Sequence, residues 1–178
     1  MAITKSDREE MILTHLPYEL DQYFATDEKV RDLTRDERER ALWSELLCLH
    51  ARNLVEFFTR TSSINSNDAA SFHFADRSYT KTTRKTGSIH DLNKKINVFV
   101  SHLDYGRADR TRVSGPDIDQ CREFILNEVA RLQKHLAPEY SLDWTPPARP
   151  VALLDNLPST TAIGEVRVIP ILDASKDA

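Results

Sequence analysis

Residues 34–60, TRDERERALWSELLCLHARNLVEFFTR, decide the fold class. Apolar residues recur there at alternating steps of four and three, which is the period of an amphipathic α-helix. Two adjacent stripes result: Trp43, Leu47, His50, Leu54 and Phe57 form the first, and Leu42, Leu46, Leu49 and Asn53 form the second. So wide an apolar arc predicts a helix at the centre of a bundle, ending near Arg60. The run Thr34-Arg35-Asp36-Glu37 has the form of a capping box, which predicts that Thr34 caps the helix.

The segment before this helix, residues 6–33, is also amphipathic but contains Pro17. Either the helix kinks at Pro17, or a short helix ends near His15 and Pro17 lies in the first turn of the next helix. We favour two pieces. After the central helix, the periodicity predicts a third helix over residues 89–103 and a fourth that opens near Pro116.

The chain changes character after residue 138, where several prolines and short apolar runs replace the helical pattern. Residues 139–178 are expected to form a non-helical extension, either extended or in short strands. Residues 1–138 are expected to form one helical domain. The sequence therefore predicts an all-α fold, an up-down four-helix bundle with an extra N-terminal helical piece.

Composition excludes several classes of protein. The 178 residues carry 24 basic and 28 acidic side chains, a net charge of -4, which disfavours a histone-like role. Two cysteines are too few for a disulfide scaffold, so Cys48 and Cys121 are predicted to be core residues in a reducing compartment. The first residues, MAITKSDREE, lack the apolar core of a signal peptide, and no run is apolar enough to span a membrane. We therefore expect a cytoplasmic protein without membrane contact.

One local departure from the acidic average lies in the polar loop of residues 61–90 and just after it. Between Arg77 and Lys95 there are six basic residues and one acidic residue, a local charge of +5. Lys81, Arg84 and Lys85 are the candidates for phosphate contacts in this segment. Phe72, Phe74 and Tyr79 are expected to pin the loop to the bundle.

The six histidines do not form a recognisable metal site. The sequence has no HExxH, no closely spaced cysteine pair and no Glu-x-x-His repeated on two helices. No Gly-rich phosphate loop is present either, since the chain has only four glycines. Neither a metal nor a cofactor is predicted.

Two histidines remain as candidates for a role. His50 falls on the core stripe of the central helix, beside Asn53, and must find a hydrogen-bond partner there, so a structural role is favoured for both. His102 follows Lys95 by seven residues, about two helical turns, and shares its face. His102 either lies with Lys95 in a shallow cleft, or caps the end of the third helix.

A family resemblance connects these positions. The block LHARNLVEFF (49–58), followed by KKINVFVSHLDYGR (94–107), resembles a pattern found in bacterial all-helical proteins. The second block is similar to the HEPN superfamily, whose signature is an Arg, often followed by Asn, with a His after four to six residues. The resemblance implies a four-helix homodimer whose paired motifs cleave RNA without a metal.

Carried onto this chain, the resemblance assigns His102 as the general acid or base and Asn97 as the polar residue that orients groups. The Arg position falls on Lys95 or on Ile96. Lys95 and Arg107 would then contact phosphate. The competing hypothesis is a non-catalytic helical module that acts by dimerisation or by binding another protein, and whether the chain is an enzyme is left open.

Overall fold

The computed structural model describes residues 4–32, 34–60, 69–80, 82, 88–101 and 113–147. Within these ranges the chain is helical, as the periodicity predicts, and contains no strand beyond one isolated β-bridge. The α-helices are α1 (Lys5–Glu10), α2 (Leu16–Arg31), α3 (Glu37–Thr59), α4 (Ser88–Ser101) and α5 (Gly115–Lys134). None of these helices is both long and apolar enough to cross a membrane.

The N-terminal helices are joined without a break by a π-helical turn, Met11–His15. The N–H of Leu16 donates to the carbonyl of Met11, five residues earlier, and Pro17 follows in the first turn of α2. A proline ring normally clashes with the carbonyl four residues before it, and the wider π turn relieves that clash. Pro17 lies in the first turn of α2, as predicted, but the predicted separation into two pieces is wrong, because the π turn carries the helical path into α2 without a break.

The start of α3 differs from the predicted capping box. Asp36 is the N-cap, and its carboxylate accepts from the N–H of Glu39 at 2.8 Å. The hydroxyl of Thr34 instead donates to Asp32 Oδ1 at 2.6 Å. The prediction that Thr34 caps the helix is wrong because Asp32 binds its hydroxyl in an Asx turn, while Asp36 is the better cap in the right place.

The body of α3 buries the first predicted stripe but not the second. Leu47, Leu54 and Phe57 are buried, whereas Leu42 is 63% exposed and Leu49 is 39% exposed. The buried arc instead continues beside the first stripe, on the side away from the second stripe. Its further buried residues are Ser44, Cys48, Ala51, Val55 and Phe58. The second stripe was wrongly assigned to the core because sequence spacing alone does not show on which side of the first stripe the neighbours pack. The predicted end near Arg60 is confirmed, since Arg60 is the C-cap.

The last two helices each bury an apolar side where they are described. Leu92 and Ile96 of α4 are buried, while Leu103 and the side chains of Phe99 and Val100 lie outside the described part. The apolar period of α5 predicts a seam that ends at Leu136; Ile118, Cys121, Ile125, Val129 and Leu132 are buried, and Leu136, just past the helix, is partly buried. Ser114 caps this helix in a reciprocal capping box with Asp117.

The segment after α3 packs on the C-terminal end of α5. Phe74 and Tyr79 are buried, as predicted, and Phe72 is partly buried. The N–H of Asp76 donates to the carbonyl of His135 at 2.7 Å, and the N–H of Ala137 donates to the carbonyl of Phe74 at 2.9 Å. These two hydrogen bonds form a short bridge.

The predicted extension begins by packing back against the helices. Residues 141–147, which we call the strap, are non-helical and carry two buried side chains, Leu142 and Trp144. The short runs VALL and EVRVIPIL, predicted as strands or an extended tail, lie outside the described residues, as does Pro150.

Candidate functional site

The predicted phosphate ligand Lys95 has a partner within the protein. Its ammonium lies 2.8 Å from Asp117 Oδ1, so the ion pair joins α4 to the first turn of α5. Asp117 Oδ2 also accepts from the N–H and the hydroxyl of Ser114, at 2.9 and 2.6 Å. Burial alone would raise the pKa of Asp117, but the hydrogen bonds from Lys95 and Ser114 hold it below its ordinary value. Lys95 therefore tethers two helices.

The other residues of the predicted catalytic and phosphate-binding site are mostly outside the described part of the chain. Asn97 lies on α4, two positions beyond Lys95, and is partly exposed. The remaining residues outside the described ranges are His102, Arg107, Lys81, Arg84 and Lys85. The predicted pairing of Lys95 with His102 stays a prediction.

The basic segment is described at its two ends. Arg77, before the gap, and Lys94, in α4, are both exposed. Lys94 is adjacent to Lys95, whose charge is paired. Arg77 and Lys94 are therefore the described cations of this segment that solvent or a ligand could reach directly.

The predicted structural pair on α3 shares one carboxylate. His50 is buried, and its Nδ1–H donates to Glu19 Oε2 of α2 at 2.8 Å. The side-chain amide of Asn53 lies 3.4 Å from both oxygens of the same carboxylate. The partner that the burial of His50 demands is thus Glu19, and these three side chains join α2 to α3.

A second polar cluster, which the sequence patterns did not predict, holds the segment before α4 against α5. Glu128 is buried on α5 and accepts from Thr82 Oγ1 at 2.9 Å and from the Tyr79 hydroxyl at 3.4 Å. Arg131 pairs with Glu128, donates to Thr82, and places its guanidinium carbon 4.8 Å from the centre of the Tyr79 ring. The Tyr79 hydroxyl oxygen also lies 3.1 Å from Ser71 Oγ, within hydrogen-bond distance. Since the Glu128 carboxylate and the Arg131 guanidinium pair with each other, the arrangement fits an anchoring role.

One feature of the sequence could have predicted this cluster: a glutamate stands on the apolar seam of α5. Glu128 follows Cys121 and Ile125 at steps of four and three, so it lies on the core seam of α5 where an apolar residue is expected. A carboxylate in that position needs a buried cation, and Arg131 stands one turn further on.

No group of three or more metal-ligating side chains is present among the described residues. A small apolar cavity lies in the core between α2, α3, α4 and α5, where Tyr23, Cys48 and Cys121 contribute to its wall. Asp117, which is paired with Lys95, also lines the cavity, but most of the lining is apolar and resembles ordinary core packing.

The outer face of α3 is the clearest unfilled surface of the described helices. Leu42 and Leu49 are exposed there, Leu46 between them is partly buried, and Asn53 continues the line. We call these four residues the outer stripe. Leucines in one line on a helix form a continuous surface, unlike single exposed leucines scattered over a protein.

Comparison of the chain with protein-family models, with curated proteins and with solved structures gave no match. Function is therefore inferred from the residues and their contacts.

Proposed function

We propose that this chain is a non-catalytic helical association module, which forms a homodimer through the outer stripe of α3. In this proposal α2 to α5 have the up-down, HEPN-like arrangement. The observation that carries the proposal is the exposure of Leu42 and Leu49, 63% and 39%, on one line of α3, the longest of the described helices. Covering such leucines removes apolar surface from water at roughly 25 cal/mol per Å².

A second observation supports a module rather than an enzyme. Two polar side chains singled out from the sequence have partners within the fold: Lys95 binds Asp117, and His50 binds Glu19. A general base or a phosphate ligand must be available to its substrate. Ion pairs of this kind instead fix the relative positions of helices, which is what an interaction scaffold requires.

A second copy of the chain is the partner that we favour. A leucine stripe needs no complementary charge pattern, so it can pack against itself about a twofold axis. Twofold homodimers are also the commonest oligomers of soluble proteins. The stripe is short, and the expected dimer is therefore weak and dependent on concentration.

The dimer proposal predicts the effect of charge on the stripe. The double variant Leu42→Glu/Leu49→Glu should stay monomeric at concentrations where the wild-type chain dimerises, because each glutamate would have to lose its water in the interface. Its melting temperature should change little, since substitutions at exposed positions usually shift stability by about 0.5 kcal/mol or less. Sedimentation equilibrium over a concentration series measures the association.

The matched control is Leu13→Glu, which charges a leucine that is 54% exposed but lies outside α3. This variant should dimerise as the wild type does. A wild-type chain that is monomeric throughout the series, or a dimer that the stripe variant leaves intact, would contradict the proposal.

RNA binding is the second candidate function, and the local charge of +5 between Arg77 and Lys95 favours it. Arg77 and Lys94 supply exposed cations at the two ends of that segment. Contacts of this type give salt-dependent binding to phosphate without reading sequence. In this proposal His102 and Asn97 either perform the HEPN-like chemistry or are remnants of it.

Single-stranded RNA should bind with an affinity that falls as salt rises. Replacement of Lys81, Arg84 and Lys85 by Gln should weaken binding and reduce the slope of log K against log salt by about 0.7 for every phosphate that the variant no longer neutralises. Filter binding or fluorescence anisotropy over a salt series measures both quantities. Lack of binding even at low salt would remove this function. If the chain also cleaves RNA in EDTA, His102→Ala should abolish cleavage and leave binding in place.

A further inference from the structure

The strap is held across α2 and α5 as a short peptide would be. Its side chains alternate: Leu142 and Trp144 are buried, while Ser141, Asp143 and Thr145 are exposed. A period of two is the pattern of an extended segment that rests one face on a surface. Within the described residues, the strap makes no backbone-to-backbone hydrogen bond to the helices.

Side chains of the helices recognise the backbone of the strap. The amide of Gln133 on α5 donates to the carbonyl of Leu142 at 3.2 Å and to the carbonyl of Trp144 at 2.7 Å. One amide group bridging two carbonyls that are two residues apart requires an extended backbone, with both anchor side chains on the same face.

The tryptophan is recognised by two groups of α2. The indole N–H of Trp144 donates to Asp21 Oδ1 at 2.8 Å, and its ring centre lies 5.4 Å from that of Phe24. The guanidinium carbon of Arg122 on α5 lies 4.6 Å from the centre of the same Phe24 ring. The ring against which Trp144 packs is therefore also contacted from α5. A buried indole with its N–H satisfied is the type of anchor that dominates many interfaces.

The groove therefore selects its occupant by chemistry that does not depend on the chain connection. It provides an apolar site for a leucine, an aromatic site with a carboxylate for an indole, and an amide donor for the backbone between them. The strap follows the turn at residues 137–140, and opening it would break no helix. Local openings of this kind cost less than global unfolding.

We propose that the groove between α2 and α5 is a peptide-binding site for an extended Leu-x-Trp segment, and that the strap is its occupant in the free chain. Such a segment presented in trans would displace the strap and take the same contacts. The strap competes because it is tethered, and its high effective concentration weakens binding from outside. This groove is separate from the outer stripe, which belongs to α3.

The test uses the full chain and the synthetic peptide SLDWTPP, which reproduces residues 141–147. The double variant Leu142→Ala/Trp144→Ala removes the tethered competitor, so it should bind the labelled peptide at least ~10-fold more tightly than the wild type does. Fluorescence anisotropy measures the affinities, and circular dichroism verifies that the variant keeps its helices. A peptide with Ala in place of its Trp should not bind.

A further substitution identifies the groove as the binding site. Adding Gln133→Ala to the double variant should lower the affinity for the peptide by ~10-fold, because the bridge to both carbonyls is removed. If the double variant does not fold, Trp144→Leu keeps the apolar contact but removes the indole N–H, and it should still bind the peptide more tightly than the wild type does. Failure of the folded variant to bind the peptide, or equal binding by variant and wild type, would overturn the proposal.

Discussion

Replacement of Asp27 by Ala is expected to lower the free energy of unfolding by about 3–5 kcal/mol. Asp27 is only 1% exposed, although it carries a charge. Its Oδ1 lies 2.6 Å from Arg31 Nε, and its Oδ2 lies 2.5 Å from Arg122 on α5. One carboxylate thus binds two guanidinium groups, Arg31 on its own helix and Arg122 on α5, and the second contact joins α2 to α5.

The size of the effect follows from what the substitution leaves behind. The side chains of Arg31 and Arg122 are 11% and 14% exposed, so both charges would remain in a poorly solvated place without Asp27. Removing one partner of a buried ion pair is more costly than replacing the whole pair by apolar residues. Urea denaturation, followed by circular dichroism, measures the difference.

The matched control is Asp119→Ala, which removes the other carboxylate bound to Arg31. Asp119 lies 2.8 Å from the guanidinium, but its side chain is 46% exposed. Solvent screens that pair, and the expected loss is about 1 kcal/mol or less. Equal losses for Asp27→Ala and Asp119→Ala would show that burial does not set the strength of these contacts.

This network also shows where prediction from the sequence stops. The helical periods of α2 and α5 identify Leu20 and Ile125 as core residues, and both are buried. Asp27 shares the core face of α2, yet it is charged, and its partner Arg122 stands 95 positions away. The spacing of apolar residues within one helix predicts which face of that helix is buried. It does not predict which residues of other helices contact that face.

The same limit applies to the candidate site. Spacing placed Lys95 and His102 on one face of a helix, and it correctly required a partner for His50. It did not reveal that Asp117 binds Lys95, because that contact depends on how α4 meets the first turn of α5. The prediction that the outer stripe lies in the core is wrong for a related reason. The sequence of α3 is apolar over a wide arc, and the helices that pack against α3 determine which part of that arc is buried.

The second large expected effect is a loss of stability at high pH, which arises from two thiols and one phenol buried in the core. Burial raises the pKa of Cys48 and of Cys121 to about 12, and it raises the pKa of Tyr23 well above its ordinary value. The three side chains line the same cavity. In the unfolded chain the thiols lose their protons near pH 9, the ordinary value for the group.

Alkaline solution should therefore destabilise the protein. Above about pH 9 the unfolded state binds fewer protons than the native state, so the free energy of unfolding falls as pH rises through the window from about 9 to 12. Each thiol contributes up to about 1.4 kcal/mol per pH unit. Between pH 8 and pH 10.5, the two thiols together should remove about 4 kcal/mol.

Urea denaturation at several pH values tests this prediction, and Cys48→Ala/Cys121→Ala is the variant that isolates the thiols. The variant should be less stable than the wild type at pH 8, because shorter core side chains leave space. Its stability should nevertheless fall less steeply above pH 9, since only Tyr23 and the groups common to both chains still titrate. Parallel pH profiles for the two proteins would mean that the thiols ionise as readily in the folded core as in water, and would contradict the packing of α3 against α5 around them.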